Sequence, residues 1–163
     1  MWRRIVLFMA ISWLGIDYVV AQKGSHHHDR NEIGFGFGAV YAMDDKVWGK
    51  GAHLHYFRSV KPESRLSFGC GLEQVWAGGQ HFSINAGVKY ELFERFDLGV
   101  MPGVTFFKHL HENQGGNSRF SLHFEVAYNL FNRGNFHLAP VVDYARVRGD
   151  AHLMPGLHLA YCF

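Results

Sequence analysis

The stretch Arg119-Phe120-Ser121-Leu122-His123-Phe124-Glu125-Val126-Ala127-Tyr128-Asn129-Leu130-Phe131 decides the fold. Phe120, Leu122, Phe124, Val126, Tyr128 and Leu130 share one parity, opposed by Ser121, His123, Glu125, Ala127 and Asn129. Successive side chains of a strand point to opposite faces, so a period of two predicts a strand with one apolar and one polar face. The last segment repeats the pattern: Leu153, Leu157, Leu159, Tyr161 and Phe163 oppose His152, His158, Ala160 and Cys162. So does the first, with Ile33, Phe35, Phe37 and Tyr41 against Glu32, Gly34, Gly36 and Gly38.

Working outward, eight such segments fill the chain: Glu32–Met43, Gly51–Val60, Arg65–Ala77, His81–Leu92, Asp97–Leu110, Arg119–Phe131, Phe136–Val147 and Ala151–Phe163. Each is about as long as the ~9–11 residues a tilted strand needs to cross a bilayer. One set of connections is Lys61–Ser64, Phe93–Phe96 and Asn132–Asn135; the other is Asp44–Lys50, Gly78–Gln80, His111–Ser118 and Arg148–Asp150. Nearly all carry Gly, Pro, Asn, Asp or Ser, the residues that make turns. Arg148-Gly149-Asp150 therefore reads as a tight turn, not an adhesion motif.

Alternation alone also fits a soluble sandwich or a lipocalin-like barrel. Three features favour the membrane. The apolar faces are rich in aromatics near the segment ends, where interfacial girdles lie. The polar faces hold Gly, small residues and His, with few Lys–Glu pairs, which suits a narrow interior. The chain ends on Phe163, two residues after Tyr161, as a C-terminal assembly strand would. The expected fold is all-β: an eight-stranded antiparallel up-and-down transmembrane β-barrel over residues 32–163, both termini periplasmic.

Residues 1–21 read as a secretory signal. Arg3 and Arg4 precede the apolar run Ile5–Leu14, and Val19-Val20-Ala21 offers a cleavage site before Gln22. The run is shorter than the ~18 residues of a spanning helix, and Asp17 interrupts its continuation. Residues 22–31 would then form a short periplasmic tail carrying His26-His27-His28-Asp29. Sixteen Lys and Arg against 14 Asp and Glu leave no basic face for a nucleic acid. With two cysteines, no disulfide framework supplies the stability.

The chain resembles the small outer-membrane β-barrel proteins of Gram-negative bacteria, and a His-rich subset of them more closely. The residues that carry this are His26-His27-His28-Asp29 before Glu32-Ile33-Gly34, Gly51-Ala52-His53-Leu54-His55-Tyr56, Phe136-His137-Leu138-Ala139-Pro140 and Pro155-Gly156-Leu157-His158-Leu159. The resemblance implies an outer-membrane location, a surrounding of outer-membrane lipids, and insertion by the barrel-assembly machinery through the strand ending at Phe163.

His53, His55, His81, His109, His111, His123, His137, His152 and His158 all fall on the polar parity of their segments, as do Glu32, Glu73, Glu125 and Asp143. Lys89 and Arg119 are too few to pair every acid. An eight-stranded barrel is filled by its own side chains, which excludes a general diffusion pore. These groups must therefore meet one another across the lumen. Imidazole with carboxylate suits zinc, copper or a similar ion. His-x-His on a strand also places both rings on one face, as in His53-Leu54-His55.

Residues at middle height give the candidate metal ligands: His53, His55, Glu73, His123, Glu125, Asp143 and His158. The expected function is transition-metal binding in acquisition, buffering or sensing, with a metal-transport system as the partner it implies. The alternative is a structural or stress-related barrel whose His and acids form a hydrogen-bonded plug, or a pH-responsive one. A lipid A-modifying hydrolase is the remote alternative, since His81-Phe82-Ser83 matches its residue types. Both residues face the predicted lumen, however, and no acid orients His81, so no catalytic residue is assigned and no enzyme is expected. Cys70 and Cys162 fall on opposite faces of distant strands, a poor geometry for a disulfide.

Overall fold

The computed structural model describes residues 31–61, 64–93, 95–108 and 118–163. The expected signal and its cleavage site, the His26–His28 tail, and His109 and His111 lie outside them. The described chain is all strand and turn: β1 (Asn31–Ala42), β2 (Val47–Ser59), β3 (Leu66–Trp76), β4 (Gln80–Phe93), β5 (Phe96–Lys108), β6 (Ser118–Tyr128), β7 (Phe131–Arg133), β8 (Phe136–Val147) and β9 (Asp150–Cys162). Every pairing is antiparallel, and β1 pairs β9 while β6 pairs β8, so the sheet closes.

Short β7 continues β6 after a break at Asn129–Leu130, and together they act as one strand of an eight-stranded barrel. The backbone stays bonded through the break, with Asn129 N donating to Arg95 O at 2.8 Å and Leu130 N to Leu138 O at 3.0 Å. Closure is completed where the ends meet. Asn31 N donates to Phe163 O at 3.0 Å, and Phe163 N to Asn31 O at 2.9 Å. Both ends of the described chain thus lie at one mouth of the barrel.

One turn is shorter than its sequence suggests. Gly49 reads as a turn residue within Asp44–Lys50, yet β2 begins at Val47 and the turn occupies Met43–Lys46, with Lys46 at φ 55°. Gly49 is instead a place of close approach: a Cβ there would lie 2.0 Å from Trp76 O on β3. Tyr41 and Trp48 pair across β1 and β2 with ring centroids 5.1 Å apart, extending the ladder beyond the expected boundary. The Arg148–Gly149 turn is tight as expected, with Gly149 at φ 78°.

The alternation sorts inside from outside. Phe35, Phe37, Phe68, Phe120, Phe124, Leu157, Leu159 and Tyr161 are exposed on the exterior, while His53, Glu73, His123, Glu125 and Asp143 are buried inside. For a soluble protein this is inverted, because a water-facing surface does not carry so continuous an apolar cover. In a bilayer it is required, since closure pairs the backbone groups and the outward side chains meet lipid. Fold and exterior together describe a β-barrel of the outer-membrane kind, embedded through its strands.

Candidate metal centre in the lumen

The first part of the site is built on glycine. Gly36 on β1 is flanked by His53 on β2 and by His158 on β9, and Gly34 lies opposite His55. Because β1 has no side chains at these inward positions, the rings of both neighbours lean over it. A Cβ on Gly34 would sit 2.2 Å from His158 Nε2 and 2.4 Å from His55 Nε2, and one on Gly36 would sit 2.1 Å from His53 Nε2. The three rings pack at centroid separations of 5.6 Å (His53–His55), 5.7 Å (His53–His158) and 4.5 Å (His55–His158). Each offers a ring nitrogen within 4.8 Å of the others'. His53 Nε2, His55 Nδ1 and His158 Nε2 are buried without a hydrogen bond.

On the terminal side of this cage, His55 Nε2 lies 3.2 Å from Glu32 Oε1, and Lys89 Nζ donates to the other oxygen of Glu32. Asn129 Nδ2 donates to Asp97 Oδ2 at 3.1 Å in the same half. On the other side Glu125 Oε2 is 3.9 Å from His53 Nε2, linking the cage to the acids above it.

The second part lies towards the mouth away from the termini. His123 Nδ1 shares a hydrogen bond with Asp143 Oδ2 at 3.1 Å and stands 3.7 Å from Glu73 Oε2. Glu73 Oε1 is 3.4 Å from His152 Nε2, and the His152 ring packs at 5.2 Å from that of His81. Glu73, His123 and Asp143 form one set of converging donors, and Glu73, His81 and His152 another.

All seven sequence-derived candidates are buried in the lumen. Six of them, His53, His55, Glu73, His123, Glu125 and Asp143, line one cavity of about 10 Å³, room for a single small ion or water. They do not form a single coordination sphere. His53, His55 and His158 make one group, Glu73, His123 and Asp143 another, and Glu125 stands between. His158 and His152 are six residues apart on β9, about 20 Å along the strand, so the two groups occupy different tiers. His81 and His152 were not among the candidates. Counting heights from strand ends ignores the shear of a closed barrel, which carries both rings to Glu73. Their inward parity was the signal available.

The other sequence-derived pairs resolve simply. His81 and Ser83 are both buried, and Ser83 Oγ is hydrogen-bonded with Thr105 Oγ1 at 2.8 Å. Cys70 is exposed on the exterior, Cys162 is buried, and no disulfide joins them.

The imidazole cage fits a transition ion by its chemistry. Zinc bonds nitrogen at about 2.0–2.1 Å, so donors within 4.8 Å need close by only about 1–1.5 Å around an ion. Three neutral nitrogens leave a fourth position open, within reach of Glu125.

The class defined by this fold and exterior is the small outer-membrane β-barrel. No protein-family model and no curated protein matches the chain. Among solved structures it is similar to Neisserial surface protein A, at TM-score 0.65 and 10% identity, covering 82% of this chain and 97% of that one. It is similar to the attachment invasion locus protein Ail of Yersinia pestis, at TM-score 0.59 and 15% identity, over 83% of this chain and 99% of that one. The N-terminal β-barrel domain of Pseudomonas aeruginosa OprF aligns at TM-score 0.60 and 8% identity, over 83% and 99%. At such identities the likeness is one of fold. That fold, with its lipid-facing apolar exterior, places the chain in an outer membrane.

Proposed function

We propose that the protein binds a transition-metal ion, zinc or copper, through His53, His55 and His158, and serves metal acquisition, buffering or sensing at the outer membrane. The role is one of binding, without catalysis. The observation that carries it is the glycine floor: Gly34 and Gly36 hold open the space into which three imidazoles converge. A plug that only held the fold together would pair its buried nitrogens, because an unsatisfied buried group costs about 1–3 kcal/mol. Here His53 Nε2, His55 Nδ1 and His158 Nε2 have no hydrogen bond. A metal-transport system is the partner this reading implies, the barrel-assembly machinery would act on the strand ending at Phe163, and the His-rich subset is the relationship it fits.

The alternative, a structural plug, is favoured by one observation: Glu32 and Lys89 pair inside the terminal half of the barrel. Zinc titration of the untagged refolded barrel, followed by thermal unfolding, separates the two. The cage model expects zinc to raise the unfolding temperature of the parent and to do so less in His53→Ala/His158→Ala. A parent whose unfolding ignores zinc would leave the plug.

A further inference from the structure

Glu73 stands in two sets of donors at once. One carboxylate oxygen faces His152, beside His81; the other faces His123, which is bonded to Asp143. The acid is 2% exposed, and among the described residues no Lys or Arg forms an ion pair with it. Around it, His81 Nε2, His123 Nε2, Asp143 Oδ1 and both ring nitrogens of His152 are buried without a hydrogen bond. A self-contained polar plug does not leave so many donors and acceptors unpaired in one place. A carboxylate whose two oxygens face separate groups of ligands is also the arrangement that bridges two metal ions about 3.5–4 Å apart.

We propose that the half of the lumen away from the termini is a second metal centre, holding two divalent transition-metal ions with Glu73 as the bridging carboxylate. One ion is bound by Glu73, His81 and His152, the other by Glu73, His123 and Asp143. This centre shares no ligand with the histidine cage and stands or falls separately from it. Binding displaces the proton between His123 Nδ1 and Asp143 Oδ2, so loading releases protons to solvent. Glu73 and Asp143, with Glu125 next to Asp143 in the β6–β8 register, offset most of the charge brought in. Access exists from one side. His81 also lines a recess of about 380 Å³ at the mouth away from the termini, whose wall includes Asp44, Asp45 and Asp150.

The test is the number of zinc ions retained by the refolded barrel, by elemental analysis, with electron paramagnetic resonance of the copper(II)-loaded form. The parent should hold three, one in the cage and two at Glu73. Glu73→Gln, which keeps the shape, should lose both far-half ions together and keep one. His53→Ala/His158→Ala should lose the cage ion only, and its copper pair should show spin coupling. His81→Ala/His152→Ala should lose one far-half ion and the coupling with it. That variant decides the matter should Glu73→Gln fail to show the heat-modifiable mobility of a folded barrel. Loss of one ion or none in folded Glu73→Gln, or an uncoupled copper spectrum in His53→Ala/His158→Ala, would overturn the bridged centre. Two ions in both the parent and His53→Ala/His158→Ala would instead overturn the cage and leave the bridged centre standing.

Discussion

The two halves of the lumen hold similar residue types and treat them differently. In the half near the termini, acids meet partners of fixed charge or a ready donor: Glu32 has Lys89 and His55, and Asp97 has Asn129. In the other half, Glu73 and Asp143 meet imidazoles and each other, with no Lys or Arg paired to either among the described residues, and several ring nitrogens have no hydrogen bond. The first arrangement closes on itself and needs nothing more. The second is the arrangement on which the proposed bridged centre rests: a proton would join one nitrogen to one oxygen there, and a metal ion would join several. The histidine cage lies at the border between the two.

Three substitutions press on this contrast. The largest effect is expected in the terminal half, from Lys89→Met. It leaves half-buried Glu32 with only His55 and the Cys162 thiol, and losing the charged partner of a largely enclosed pair costs about 3 kcal/mol. Thermal unfolding of the metal-free barrel should show the loss; an unchanged transition would mean that this half is not the closed plug described. An intermediate effect is expected at the border, from Gly36→Ala. The new methyl meets His53 Nε2, so zinc affinity should fall at least tenfold, ~1.4 kcal/mol, while metal-free stability changes by less. Competition with a chromophoric chelator reads it, and parental affinity would remove the glycine floor from the site. The smallest is Asn129→Ala, which takes away one donor from Asp97 and should cost about 1 kcal/mol with zinc affinity untouched. A change in zinc binding there would show the two halves to be one coupled network.

Much of the architecture can be read from the sequence because a barrel wall is a period-two object. The parity of Phe120 to Leu130 and of Leu153 to Phe163 assigns inside and outside one residue at a time, and needs no knowledge of the partner strand. Boundaries fared less well where a glycine served packing instead of a turn, as at Gly49. The break at Asn129–Leu130 was equally silent, since both residues keep the alternation. Ligand types were legible, because His and acids recur on the inward parity. Their grouping was not. It depends on shear, which sets His158 beside His53 yet carries Glu73, the cross-strand partner of His53, towards His152 instead. One clue was available and unread. Gly34-x-Gly36-x-Gly38 on the inward parity opposite His53-x-His55 marks a strand that yields its interior space to its neighbours.

The seam between β1 and β9 has a consequence for the order of events in biogenesis. His152 and His158 both sit on β9, and their partners His53, Glu73 and His81 sit on β2, β3 and β4. Until the last strand zips onto the first, neither the cage nor the His81–His152 pair exists; of the three groups, only Glu73, His123 and Asp143 draw nothing from β9. Capture of an ion by the cage or by His81 with His152 would thus be a property of the finished barrel alone. A bound ion would in turn hold the seam shut from within, lengthening the lifetime of a contact whose opening would expose two sheet edges to lipid.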